Sequence, residues 1–467
     1  MNLKLGRRSF LSTLGAAGAG LFSSNNLNAA GLMGGAPTMS KDMPKNVDGD
    51  AIVPIKSGFC STGNPWAELG ITPVVNIQGT VTVIGGSVMK PEVMEAMRYG
   101  NMHFTVVDEL EVAAGKFIAN LCKSPAGYTG LVTGGAAAAL LVGYAGMMTE
   151  DYNERMINIP DLRNFPKTEI IIQTAHRYSF DHQIRQTGAK LVNVTTRDEM
   201  IAAINPRTVA IHYTNIAGDR GQISGPETVA IAKQHGVYTF CDASADVPPV
   251  SRLWEYPAIG FDMFTFSGGK DISGPQASGI LIGQEKLIQW ALLNMSPQEN
   301  KIGRASKVGK ETIFGLLKAL ELFVKQDEDE SMRRYDAKAQ VITDALKKFG
   351  VTMSKSYDPK ALGNVSPNYT WTWDAAKNKL TSTQVLDALA ATKPVGIGAA
   401  GGANSGGMRG RPDPSWPAAD AAPARRAAAR PAPAANSIGF STWLLKDGED
   451  KYIADRLVEI FSAAKKS

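Results

Sequence analysis

The stretch FSGGKDISGPQASGILIG, residues 266–283, sets a single lysine, Lys270, between paired glycines and Gly274-Pro275-Gln276. Just upstream, FDMFTF (261–266) is a short apolar run enriched in aromatics, which reads as a strand. A strand that runs into glycines delivers the lysine on a turn free to bend in any direction. A solvated loop lysine is the plain alternative, because lysine is mostly exposed. The rest of the chain decides between the two.

Upstream, TEIIIQTAH (168–176), KLVNVT (190–195), TVAIHYT (208–214) and GVYTFCD (236–242) repeat the same β-branched, apolar pattern. Between them lie helical stretches: SFDHQIRQTGA, RDEMIAAI and PETVAIAKQHG. Strands alternating with helices of that length predict an α/β fold with a mainly parallel sheet and helices on both faces. From about residue 307 the amphipathic KVGKETIFGLLKALELFVKQ changes the rhythm, followed by VITDALKKFGVTMSKSY and the C-terminal GEDKYIADRLVEIFSAAKK. These predict a smaller α+β domain. The expected layout is an export signal at 1–30, a linker at 31–65, a large domain at 66–300 and a small domain at 301–467. Residues 396–435, rich in Gly, Ala, Pro and Arg, interrupt the small domain as a low-complexity insertion. Gly396, Gly398 and Gly401 spell G-x-G-x-x-G there, but neither a strand before nor a helix after supports a dinucleotide site.

The 467 residues are 44% hydrophobic and 20% charged, an ordinary globular composition. The net charge of +5 is concentrated at the N-terminus and in ARRAAAR (424–430), so no nucleic-acid partner is expected. Three cysteines without metal-like spacing support neither a disulfide framework nor a metal site. The opening MNLKLGRRSFLSTLGAAGAGLF pairs Arg7 and Arg8 before Phe10-Leu11 and a short apolar run, which resembles a twin-arginine export signal. A partnership with that export machinery and a periplasmic or otherwise exported location follow as expectations.

Back in the large domain, LVTGGAAAALLVGYAGMM (131–148) runs from an apolar stretch through Thr133, Gly134 and Gly135 into a helix opening at Ala136. Free N–H groups at such a helix start suit a phosphate dianion; close packing of small residues is the alternative. His176 stands just past a strand end, where its ring can stack on a flat ligand or serve as a core histidine. Asp242 ends another strand; a buried carboxylate there needs a cationic partner, unless it caps a helix. Taken in order, a helix-start phosphate site, a stacking ring, a strand-end aspartate and a glycine-flanked lysine match pyridoxal 5′-phosphate. The aspartate would hold the protonated pyridine nitrogen and Lys270 would condense with the aldehyde. Ser267 is placed to donate to the phosphate.

At these residues the chain resembles the selenocysteine synthase-related branch of the fold-type-I pyridoxal-phosphate enzymes. That branch includes L-seryl-tRNA(Sec) selenium transferase and the D-glucosaminate-6-phosphate ammonia-lyases. The resemblance lies in SGGKDISGPQASGIL, DASADVPP, AHRYSFDHQIRQTGAKLV, RASKVGKETIFGLLKALE and NIQGTVTVIGGSVMKPEVMEAM (76–97). It implies Lys270 as the Schiff-base residue, Asp242 as the pyridine partner, Gly134–Ala136 as the phosphate loop, and a homodimer or higher homo-oligomer. The chain departs from the selenium transferase in showing no basic RNA-binding domain and in carrying the insertion. The leading expectation is therefore a lyase performing α,β-elimination on a small amino acid or amino sugar acid. In it Lys270 moves the α-proton and Arg304, in GRASKVGKE, takes a substrate anion. An aminotransferase or racemase, of the kind found among class-V-like relatives, uses the same cofactor residues. A selenium transferase and a non-catalytic exported binding protein of the same fold compete with these readings.

Overall fold

The computed structural model describes residues 57–393, 395–398 and 436–466, all within one compact unit, Val53–Ser467. The stretch expected to be an export signal, 1–30, residues 31–56 of the expected linker and residues 399–435 of the expected insertion lie outside the described residues.

The described chain opens with a short helix, Pro65–Glu68, and the two-residue strand β1 (Val74–Val75). The main sheet then takes seven strands. They are β2 (Tyr128–Thr133), β3 (Glu169–Gln173), β4 (Lys190–Val194), β5 (Thr208–Thr214), β6 (Tyr238–Asp242), β7 (Met263–Ser267) and β8 (Gly279–Gln284). Their order is β2-β8-β7-β6-β5-β3-β4. β3 to β7 run parallel, as the alternating pattern predicts, whereas β8 is antiparallel to both its neighbours, β2 and β7. Every residue of β3 and β5 is buried, because helices cover both faces of the sheet.

The helix Ala136–Thr149 is apolar all round and buried nearly throughout, as a helix caught between a sheet and another helix must be. Its glycines permit that approach: a Cβ on Gly146 would stand 2.7 Å from the backbone nitrogen of Ala291, in the neighbouring helix Glu285–Leu293.

A second core forms around the three-stranded antiparallel sheet β12-β10-β9, made of β9 (Thr352–Ser356), β10 (Asn368–Thr372) and β12 (Ser437–Phe440). Trp371, Tyr369, Phe440 and Phe461 fill it. The remaining strand, β11 (Gly396–Ile397), pairs in parallel with β1 and draws Val75 and Ile77 into this core. Gly396, first of the glycines in the G-x-G-x-x-G string, is thus a strand residue opposite Val74.

The helix Lys310–Val324, expected at the start of the smaller domain, has its apolar face in the large core. Ile313, Leu316, Leu320 and Phe323 pack there. Its outer side meets the helix Pro91–Asn101, where a Cβ on Gly100 would stand 3.0 Å from the Phe314 ring. Periodicity identifies an apolar face but carries no information on which core that face will meet.

Candidate functional site

The parallel strands end together, and their C-terminal ends gather the predicted residues at one edge of the sheet. Gly279, at the start of the antiparallel β8, pairs with Thr133 on one side and Ser267 on the other. The hydroxyl of Thr133 donates to the carbonyl of Gly135 at 3.0 Å. Gly135 turns the chain at φ +120° into the helix opening at Ala136, and no side chain caps that helix. A Cβ on Gly279 would stand 2.4 Å from the carbonyl carbon of Gly135, so glycine is required where β8 passes under the loop. Thr133, Gly134, Gly135, Ala136 and Ser267 are therefore brought together around uncapped helix N–H groups. That arrangement fits a phosphate dianion.

Asp242 ends β6 and is 4% exposed. One carboxylate oxygen accepts the N–H of Ser244 at 2.9 Å; the other accepts the hydroxyl of Tyr178. Both donors are neutral. A buried carboxylate satisfied only by neutral donors favours a cation beside it, which is what a protonated pyridine nitrogen supplies. The Ser244 carbonyl in turn accepts the N–H of Ser267 at 3.3 Å, tying the aspartate loop to the phosphate side.

Lys270 is half-buried on the turn after β7. The N–H of Ser273 bonds the Lys270 carbonyl at 3.0 Å, and the N–H of Gly274 bonds that of Gly268 at 2.8 Å. The segment before the helix Pro91–Asn101 braces the turn. Ser87 donates its N–H and hydroxyl to the Gly269 carbonyl at 3.2 and 3.0 Å, and the side chain of Gln276 reaches the Thr82 carbonyl at 3.2 Å. Next to the lysine, Asp271 is 9% exposed and accepts from the side chain of Asn364 at 3.3 Å. Burial pushes its carboxyl up to about 7, against the hydrogen bond from Asn364 and the pull of Lys270.

His176 is fully enclosed in a single 3₁₀ turn after β3. Its Nδ1 accepts the N–H of Thr214 at 3.3 Å and its ring meets Tyr213 edge-on at 4.7 Å. A Cβ on Gly221 would stand 2.8 Å from its Nε2. Burial, with help from His212 and Arg220, lowers its pKa to about 3, so the ring is neutral. The aromatic group that reaches Asp242 is Tyr178, two residues further on.

The Tyr178 ring lies nearly parallel to that of His212, with centroids 6.2 Å apart and planes 17° from parallel. His212 is itself buried between the Tyr144 hydroxyl at 2.8 Å and the Thr214 hydroxyl at 3.0 Å, and burial lowers its pKa to about 4. The loop bearing Tyr178 is anchored by Asp181, fully buried and paired with Arg177 at 2.6 Å and Arg185 at 3.2 Å. Tyr178 sits in AHRYSFD, where the Arg-x₃-Asp-x₃-Arg spacing of Arg177, Asp181 and Arg185 is the sequence signal for its anchored loop. Arg304 is exposed, but Ser306, two residues on, has its carbonyl 3.2 Å from where a Cβ on Gly134 would stand.

With this geometry in place, residues 166–366 match the aminotransferase class-V family model. That match spans less than half of the chain and marks this segment, which holds Asp242 and Lys270, as similar to the family. Among curated proteins it is 28% identical to D-glucosaminate-6-phosphate ammonia lyase of Salmonella typhimurium (strain 14028s / SGSC 2262), over 56% of this chain and 70% of that one. It is 29% identical to 5′-C-glycyluridine monooxygenase-decarboxylase of Streptomyces sp, over 57% and 66% of the two chains. It is 26% identical to L-seryl-tRNA(Sec) selenium transferase of Desulfomicrobium baculatum, over 59% and 60%. A solved structure of D-glucosaminate-6-phosphate ammonia-lyase superposes with a TM-score of 0.68 at 22% identity, covering 86% of this chain and 98% of that one. That likeness establishes the fold expected from the resemblance.

Proposed function

We propose that this enzyme is a lyase of the ammonia-lyase type, acting by α,β-elimination on a small amino acid or amino sugar acid. The observation that carries the cofactor part of this reading is Asp242, a buried carboxylate with only neutral donors among the described residues, on the strand beside the one that delivers Lys270. The choice of elimination rests on the likeness to D-glucosaminate-6-phosphate ammonia lyase. When bound, pyridoxal phosphate supplies an electron sink for the substrate's α-carbon.

The chain's own residues divide the remaining work. Thr133 to Ala136 and Ser267 bind the phosphate through the helix N-terminus and hydroxyls. Asp242 holds the ring nitrogen's proton and so keeps the ring electron-poor. Lys270 would hold the cofactor, and its Nζ would take the substrate's α-proton at close range. Arg304 is assigned the substrate's carboxylate or phosphate, for which a guanidinium fork is suited.

We also propose a homo-oligomer, since Met94, Tyr99, Phe104 and Val106 present large exposed apolar side chains along one segment. Sedimentation at several concentrations tests that. Export through the twin-arginine route is a further proposal from residues 1–30, tested by fractionating cells that express wild type and an Arg7,Arg8→Lys,Lys variant.

The decisive experiment is the visible spectrum of purified protein before and after borohydride, beside Lys270→Ala. A visible band that borohydride removes, and that the variant lacks, supports the lysine assignment. Ammonia released from a panel of amino acids and amino sugar acids then supports elimination. Keto-acid formation without free ammonia would favour transamination, and a protein that stays colourless with added pyridoxal phosphate would leave the binding-protein reading.

A further inference from the structure

We propose that Tyr178 is a cofactor-contact residue, its ring lying against the pyridine ring and its hydroxyl sharing the carboxylate of Asp242 with the ring nitrogen. This rests on the assignment of Asp242 made above.

The geometry follows from what surrounds the carboxylate. Oδ1 is taken by the N–H of Ser244, which leaves Oδ2 for a ring nitrogen, and Oδ2 already accepts the Tyr178 hydroxyl. A carboxylate oxygen has two lone-pair directions and can accept from both. Two donors each about 2.8 Å from one oxygen, separated by the angle between its lone pairs, stand roughly 4–5 Å apart. The phenol and the pyridine are then neighbours by construction.

One side of the Tyr178 ring faces His212, and the residue is only half-buried, so it retains surface to offer. His176 has none, being fully enclosed against Tyr213 and Gly221. Burial and the adjacent Asp242 hold the Tyr178 hydroxyl protonated, as a donor must be. Its loop is set in advance by the Tyr178 N–H bond to Asp181 at 3.3 Å, so little order is lost when a ring arrives.

The test measures pyridoxal phosphate binding to stripped protein, by circular dichroism in the visible band, for wild type, Tyr178→Ala and Tyr178→Phe. Tyr178→Leu stands in if the alanine variant does not fold. Loss of the ring should weaken binding by about tenfold and collapse the visible dichroism, on the scale of one aromatic contact. The phenylalanine variant should recover affinity to within about threefold of wild type, because the ring is back. Its visible band should nonetheless titrate at a different pH, because Asp242 has lost a donor.

Wild-type affinity in the alanine or leucine variant overturns the contact. So does a phenylalanine variant as weak as alanine, which would show that the ring is not what matters. A phenylalanine variant with the wild-type titration removes the shared carboxylate. Wild type that takes up no pyridoxal phosphate overturns the assignment of Asp242 and this proposal together, an outcome distinct from the others.

Discussion

The side-chain amide of Asn364 lies 3.3 Å from one carboxylate oxygen of Asp271 and 3.4 Å from the other. The loop joining two strands of the second core therefore grips the residue next to Lys270. The same loop is held from the other side, where buried Arg252 donates to the carbonyls of Ala361 and Gly363.

A pH dependence follows from Asp271. Its carboxyl sits at about 7 in the fold, against 3.8 for the free group. Between those values the unfolded chain has released the proton and the folded chain keeps it, so stability falls as pH rises through this window. The effect is on the order of 2–4 kcal/mol. Asp271→Asn keeps an acceptor and removes the charge. It should melt several degrees above wild type at pH 8 and together with it at pH 4 in calorimetry; parallel curves at both pH values would count against the buried acid.

The Asp181 anchor makes a second prediction. Arg177 is 3% exposed and its carboxylate partner is fully buried. Asp181→Asn leaves a buried guanidinium without its counter-charge, which is expected to destabilise by about 3–5 kcal/mol in urea unfolding. A change below about 1 kcal/mol would mean that the pair behaves like a surface one.

His176 and His212 act in the opposite direction to Asp271. With folded pKa values near 3 and 4 against an ordinary 6.5, both stay neutral while the unfolded chain takes up protons. Stability is therefore lost as pH falls from about 6.5 toward 4. His212→Asn should flatten that acid limb by close to one proton in a plot of unfolding free energy against pH. An unchanged slope would place the acid sensitivity elsewhere.

Gly86 tests the brace on the lysine turn. Its φ is +72° and a Cβ there would stand 2.7 Å from the Gly269 carbonyl, the acceptor of both Ser87 bonds. Gly86→Ala should cost about 1–3 kcal/mol and slow formation of the visible band on adding pyridoxal phosphate. Normal band formation would show that the turn holds without its brace.

The parallel strands were legible because β3, β5, β6 and β7 are buried runs of β-branched and aromatic residues, a pattern that survives without knowledge of partners. The direction of β8 was not, since a period of two reads the same from either end. Thr133 to Ala136, Asp242, Ser267 and Lys270 stood out because each falls at an element boundary. Tyr178 did not, for its position depends on Asp181 and two arginines folding inward, and charged residues in a helical stretch read as a solvated face. The same limit applies to Asn364, which meets Asp271 across 93 residues of chain.

The place of β8 bears on how the protein is made. β2 sits at the sheet's edge with β8 as its one neighbour, so the Thr133 side of the pocket remains an unpaired edge until residues 279–284 arrive. On a ribosome, roughly 150 further residues must be synthesised before that edge is covered, at about 5–20 per second. For those seconds the half-built sheet offers an open apolar ladder to its neighbours. A nascent chain stopped short of Gly279 should associate with chaperones or aggregate, whereas one released after Gln284 has the partner strand that closes it.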